Sequence, residues 1–188
     1  MADPFLRLNL GCGSRPVDGW VNVDRHAGPG VDVVHDLDVH PWPWPDGSAV
    51  VVRADHVIEH VGDVFGFMRE AARVLAPRGV LELRYPYWRN PAACWGNPDH
   101  KRIVHPYGLG VFAGHETADL SMRGTEALFA RHAWRLNTEV LDPPETRRAR
   151  LGRSALGPLR HAWERLRLGR LGVGTPHEVI SVLQKGDA

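Results

Sequence analysis

The chain has 188 residues, a formal net charge of +1, 43% hydrophobic and 24% charged residues, which suits one globular domain with a sizeable core and offers no global field for nucleic acid. Cys12 and Cys94 are the only cysteines and form neither a metal-like nor a redox pair, so a reducing compartment is expected. No apolar run approaches the roughly 18 residues of a membrane span and the first residues lack a signal peptide's charged and apolar regions, so the expected location is cytoplasmic.

In chain order, residues 6–10 are a short apolar strand candidate, followed by Gly11-Cys12-Gly13. Residues 20–23 alternate and end at Asp24, and residues 31–34 run into His35-Asp36. The stretch 40–47, "HPWPWPDG", is a loop, because prolines at that density leave no room for a helix. Residues 49–52 are continuously apolar, as in a strand buried on both faces. A helix is predicted next, with Asp63 as N-cap and Phe65, Met68, Ala72 and Leu75 on one face. Pro77 and Gly79 stop it, and residues 79–85 form the next strand. Strand, helix, strand in this rhythm implies a parallel sheet. Beyond it, residues 90–114 read as a long loop, 125–133 as a helix, and 134–141 and 178–183 as strands.

Glycines at a strand end let the backbone approach a ligand, and an acid closing the next strand can take both hydroxyls of a ribose. In dinucleotide sites that acid lies about 20 residues on, and a full helix N-terminus faces the pyrophosphate. Here Asp24 follows Gly13 by 11 positions, with Pro16 and Gly19 in the gap. The pocket therefore suits adenosine and ribose without a pyrophosphate. S-adenosylmethionine (SAM) has that make-up.

On these residues the sequence resembles the class I SAM-dependent methyltransferases, most of all the small type with a shortened first helix. "LNLGCGS" is similar to motif I and "VNVD" to the second strand with its ribose acid. "VHDLD" and "PWPDGSAVVVRADHVIEHV" resemble the adenine loop and fourth strand. "MREAARVLAPRGVLELRYP" resembles the following helix and fifth strand, with Arg78-Gly79 where the family usually has two glycines. The resemblance covers roughly residues 6–86. It implies an α/β fold: a three-layer doubly wound sheet, mostly parallel with an antiparallel last strand, in a single domain over 1–188. By the same resemblance Gly11 and Gly13, with Cys12 between them, would flank the methionine part of SAM. Asp24 would bind the ribose, Asp36 (with Asp38 a near alternative) the adenine amine, and Leu37 would lie against the ring. Asp55 and His56 would line the sulfonium end.

"HVIEH", residues 56–60, also spells the H-x-x-E-H zinc-peptidase pattern, in which two histidines one helical turn apart bind the metal. A zinc hydrolase is therefore an alternative, but the adjacent strand and Gly62 leave little room for the helix it needs, and no metal is expected. A non-catalytic SAM-binding module is a second alternative. For methyl transfer to a hydroxyl, a base within hydrogen-bond reach is useful. His60, His100 and His105 are the candidates, and Tyr85, Tyr87 and Trp88 would wall the acceptor site at the carboxyl end of the sheet. The acceptor is expected to be a small molecule or glycan with a free hydroxyl. Residues 147–170 are strongly basic, within an insertion at about 143–175. Leu159, Trp163 and Leu166 form a stripe that suits packing on the sheet or contact with a membrane or lipid-linked substrate.

Overall fold

The computed structural model describes residues 5–112, 135–141 and 178–186. Seven strands form one sheet: β1 (Leu6–Leu10), β2 (Val21–Asp24), β3 (Val33–Val34), β4 (Ala49–Asp55), β5 (Leu75–Pro86), β6 (Arg135–Leu141) and β7 (Glu178–Gln184). Their spatial order is β3-β2-β1-β4-β5-β7-β6. β1 to β5 are mutually parallel, and β7 runs antiparallel between β5 and β6. The order reverses at β1/β4, which is where an open parallel sheet leaves a crevice at its carboxyl edge.

Burial explains the strand sequences. Leu8, Asn9 and Leu10 of the central β1 are all buried, so alternation is absent there. β7 sits near the edge and alternates, turning Val179, Ser181 and Leu183 inward. The Tyr85 hydroxyl meets Ser181 Oγ at 2.7 Å, which satisfies both groups where β5 packs beside β7.

Helix α1 (Val64–Val74) starts as its sequence predicts. The Asp63 side chain accepts from the Gly66 amide at 2.8 Å, and Phe67, Met68, Ala71, Ala72 and Val74 bury one face. Its end differs from the expectation. The chain passes directly into β5 at Leu75, and the Pro77–Gly79 stretch is an irregularity between the pairings Ala49↔Leu75 and Val51↔Val80. Lys185 Nζ donates to the carbonyls of Ala72 and Leu75 at 2.8 and 2.7 Å, filling acceptors that a helix end leaves open.

The proline-punctuated loop is anchored rather than free. Trp42 is 2% exposed and stacks edge-on against Trp44 and Phe67. Its amide donates to Glu70 Oε2 at 2.6 Å. Arg73 donates to both Glu70 oxygens, to Asp46, and to the carbonyls of Trp42 and Trp44. One ion pair on α1 thus holds eight residues of loop that have no secondary structure of their own.

Of the stretch 90–114, the described residues 90–112 are not a continuous loop. They contain the short helices α2 (Pro91–Trp95) and α3 (Pro106–Phe112). Asn90 caps α2 by accepting from the Ala93 amide, and a proline opens each helix. Proline inside a helix breaks it, whereas proline in the first turn is favoured. The predicted helix at 125–133 and the basic insertion at 143–175 lie outside the described residues. Among the described residues, no helix is long and apolar enough to cross a membrane.

Candidate functional site at the carboxyl edge of the sheet

Register places the site. Leu10 pairs with Val23 on one side and Ala54 on the other, and Ala54 pairs with Leu83. The next residues, Gly11, Asp24 and Asp55, therefore stand side by side at the carboxyl ends of three neighbouring strands, with Arg84 paired to Asp55 two residues before the end of β5. With strands about 4.8 Å apart, Asp24 and Asp55 are separated by two strand spacings, about 10 Å. Glu178, opposite Pro86 at the start of antiparallel β7, joins the same edge.

The turn after β1 is built from backbone and amide groups. Residues 11–20 contain turns and no helix. Asn22 Oδ1 accepts from Asn9 Nδ2 at 2.9 Å and from the Val17 amide at 2.7 Å, and Asn22 Nδ2 donates to Val17 O. Asn9 Nδ2 also reaches Arg15 O. Both asparagines are buried, so this network does for the turn what helical hydrogen bonds would do elsewhere. Gly11 and Gly13 have φ of 61° and 52°, the left-handed region that glycine tolerates. A β-carbon on Gly11 would strike the Val57 side chain, whereas one on Gly13 would meet nothing within 4 Å. Gly11 is thus required by packing, and Gly13 borders open space.

Asp24 is oriented by the same turn. Its Oδ2 accepts from the Gly13 amide and its Oδ1 from the His26 amide, both at 2.9 Å. Each oxygen keeps lone-pair capacity for a further donor. Cys12 lies differently from an open binding residue. Its thiol is 4% exposed with its pKa raised by burial and then by Asp24, and its amide is taken by Val23 O. Neither group is left to face a ligand.

Asp36 and Asp38 separate clearly. Asp38 accepts from the amides of Gly62 and Asp63 and lies 3.6 Å from Lys101. Burial works against its ionisation, but these donors outweigh it and hold the carboxyl below its ordinary value. Asp38 is therefore a fastener between the segment after β3 and the start of α1. Asp36 is exposed, and its carboxylate Oδ1 accepts from the Asp38 amide at 3.0 Å. Leu37 is partly buried against the core.

Asp55 is the last residue of β4 rather than just beyond it. It lies 3.5 Å from Arg15 and 3.8 Å from Arg84, while its Oδ1 is buried with no hydrogen-bond partner. His56 has φ of 56° and sits between two carboxylates: Nδ1 is 3.0 Å from Glu59 and Nε2 3.1 Å from Glu178. Carboxylates only accept, so both ring nitrogens carry protons. The Glu59 bond first, then Glu178, raise the pKa of His56 against the opposing effect of burial. Residues 56–60 form a turn and not the helix that the zinc-peptidase pattern needs, and both His56 nitrogens are engaged by carboxylates. Sequence reading missed Arg15 and Glu178 because neither falls in a spaced motif; Glu178 reaches His56 only through the antiparallel strand.

His60 and His100 are brought together, with ring centroids 4.7 Å apart. His60 Nδ1 faces the Asp99 carbonyl and carboxylate, and His100 Nδ1 faces Cys94 O at 2.6 Å. All are acceptors, so Nδ1 is the donor on each ring and Nε2 is the second nitrogen, turned away from those partners. His105 is elsewhere, stacked on Trp88 at 4.5 Å, and Trp88 in turn packs on Tyr87.

Residues 12–83 match the methyltransferase domain family. A curated relative, an uncharacterized 37.1 kDa protein in transposon TN4556 of Streptomyces fradiae, is 43% identical over 51 residues, which is 27% of this chain and 15% of that protein. Among solved structures, a SAM dependent methyltransferase from Archaeoglobus fulgidus is 15% identical, with a TM-score of 0.63 over 98% of this chain and 87% of that one. An S-adenosylmethionine dependent methyltransferase from Mesorhizobium loti is 16% identical, with a TM-score of 0.52 over 98% and 93%. At these identities the structural likeness establishes the fold.

Proposed function

We propose, from the class I methyltransferase fold and the match of residues 12–83 to the methyltransferase domain family, that the chain binds SAM along Gly11–Gly13, Asp24, Asp36 and Asp55 and transfers its methyl group to a hydroxyl. The observation that carries the reading is the Asp24 carboxylate, clamped by the Gly13 amide at 2.9 Å beside a glycine whose missing side chain leaves open space. A ribose diol fits that arrangement: two donors meet two pre-oriented oxygens. The buried Asp55 Oδ1, which makes no hydrogen bond and lies 3.9 Å from His56 Nε2, suits the cationic amino-acid end of the donor, two strands away.

When bound, SAM supplies a methyl group already activated by the sulfonium charge. The chain's own residues orient and desolvate. Gly11 and Gly13 let backbone approach the donor, Leu37 covers the adenine, and Asp36 accepts from its exocyclic amine. His56, held protonated between Glu59 and Glu178, fixes the edge beside Asp55 rather than taking a proton. A hydroxyl acceptor must lose its proton as it is methylated, and Nε2 of His60 or of His100 is the candidate to receive it; such a base is worth about 10²–10⁴-fold. The stacked Tyr87, Trp88 and His105 would form the acceptor wall. An acceptor that is a small molecule or a glycan matches this aromatic lining, since ring faces pack well on sugar and ring carbons.

Incubation with methyl-labelled SAM and fractionated small-molecule and glycan extracts tests the reading. Label should pass to one fraction, resist mild base as an ether does, and stay in SAM when Asp24→Ala replaces the wild type. Equal transfer by that variant would refute the proposed site.

A further inference from the structure

We propose a divalent transition-metal site, zinc by its donor set, formed by Glu59, His60 and His100. The ligand-type atoms of these three side chains all lie within 4.8 Å of one another. Two histidines and a carboxylate are a common zinc set with one position left open. The site differs from the H-x-x-E-H pattern in the sequence: His56 is excluded, and the second histidine comes from a segment 40 residues further on. It uses the Nε2 atoms that the methyl-transfer reading offers to the acceptor's proton, so a bound ion would take the place of a histidine base there, whereas donor binding at Asp24 does not depend on it.

The orientation of the rings is what a metal requires. Both histidines meet acceptors through Nδ1, which leaves Nε2 as the ring nitrogen able to ligate. The Asp99 carboxylate on His60 Nδ1 at 3.1 Å and the Cys94 carbonyl on His100 Nδ1 at 2.6 Å are the outer partners that fix ligating imidazoles. Glu59 supplies the second, separate observation. Its side chain is 1% exposed, its Oε1 is engaged by His56, and its Oε2 is buried without a hydrogen-bond partner. A buried carboxylate oxygen in that state is costly, and an ion between it and the two Nε2 atoms would remove the cost.

The backbone already holds the parts in place. The Lys101 amide donates to Glu59 O at 2.9 Å, and Arg102 donates to the carbonyls of Ile58, Val61 and Gly62. Residues 99–102 are thereby fastened to the 58–62 turn before any ion arrives. A tetrahedral ion with bonds of about 2.0–2.2 Å needs donors about 3.4 Å apart, so closure asks for roughly an ångström of movement in partly exposed rings. The fourth position would accept an oxygen donor.

The test uses untagged, chelator-treated full-length protein titrated with Zn²⁺ by competition against a chromophoric chelator, and Co²⁺ loading followed by visible absorption. The expectation is one equivalent bound and a cobalt spectrum of tetrahedral intensity. His60→Ala and His100→Ala should each weaken binding by more than about a hundredfold, and Asp99→Asn by about 10–100-fold, the range for an outer-shell partner. Asp99 is 60% exposed in its side chain, so that variant keeps the measurement decisive should a histidine variant fold poorly. Absence of a stoichiometric ion, or affinity unchanged in His100→Ala and Asp99→Asn, would overturn the site. SAM titration of the same metal-free protein separates the two readings: SAM bound without zinc sinks only the metal site, and zinc bound without SAM sinks only the methyl-transfer reading.

Discussion

Asp24 and the two glycines divide the work of the turn in ways that substitution can separate. An Asp24→Ala protein loses two charge-assisted bonds to a ribose, each worth about 1.5–3 kcal/mol, so calorimetry should show SAM affinity down by at least about a hundredfold with an unchanged circular dichroism spectrum. Gly13→Ala places a side chain in open space at φ of 52°, costing about 1–2 kcal/mol of stability while obstructing the donor. Gly11→Ala adds a collision with Val57, worth about a further 1–3 kcal/mol. Denaturant melts should therefore rank wild type above Gly13→Ala and Gly13→Ala above Gly11→Ala. The reverse order would mean that the close approach at Gly11 is relieved without cost.

Individual elements are joined by few polar links, and each link makes a distinct prediction. Burial opposes ionisation of Glu70, but Arg73 and the Trp42 amide overcome it and hold the carboxyl below its ordinary 4.5. A depressed folded pKa contributes stability that is present above the unfolded value and lost as pH falls through the folded one. Glu70→Gln should lower stability by about 1–3 kcal/mol at neutral pH and flatten the acid limb below about pH 4.5; an acid limb as steep as the wild type's would contradict this role. Between β5 and β7, Tyr85→Phe removes the 2.7 Å bond to Ser181 Oγ and should cost about 0.5–1.5 kcal/mol. Burial first of all pushes the Tyr85 hydroxyl up to about 12, so it stays protonated throughout the usable pH range.

At the scale of the whole molecule, the parallel half of the sheet was legible because its signals are local. Apolar runs, Gly11-Cys12-Gly13, and an acid closing the second strand all lie within two dozen residues. The α1 cap was legible for the same reason. The rest depends on contacts that no local pattern encodes. Asp38 and Asp36 look interchangeable in sequence, and only the Gly62 and Asp63 amides tell them apart. The prolines at 91 and 106 read as breakers until their position in a first turn is known. Glu178 meets His56 across 122 residues, and His100 meets His60 because Arg102 fastens its segment to the 58–62 turn. The Asn9–Asn22 pair was invisible as well, since a buried amide network has no periodicity.

The account as a whole stands on the carboxyl edge of β1, β2 and β4 gripping SAM. Isothermal titration of the full-length protein with SAM and with S-adenosylhomocysteine, alongside Asp24→Ala, tests that most directly. The account predicts one molar equivalent bound by the wild type and at least about a hundredfold weaker binding by the folded variant. Wild-type protein that takes up neither compound, or an Asp24→Ala protein that binds them as tightly, would contradict it.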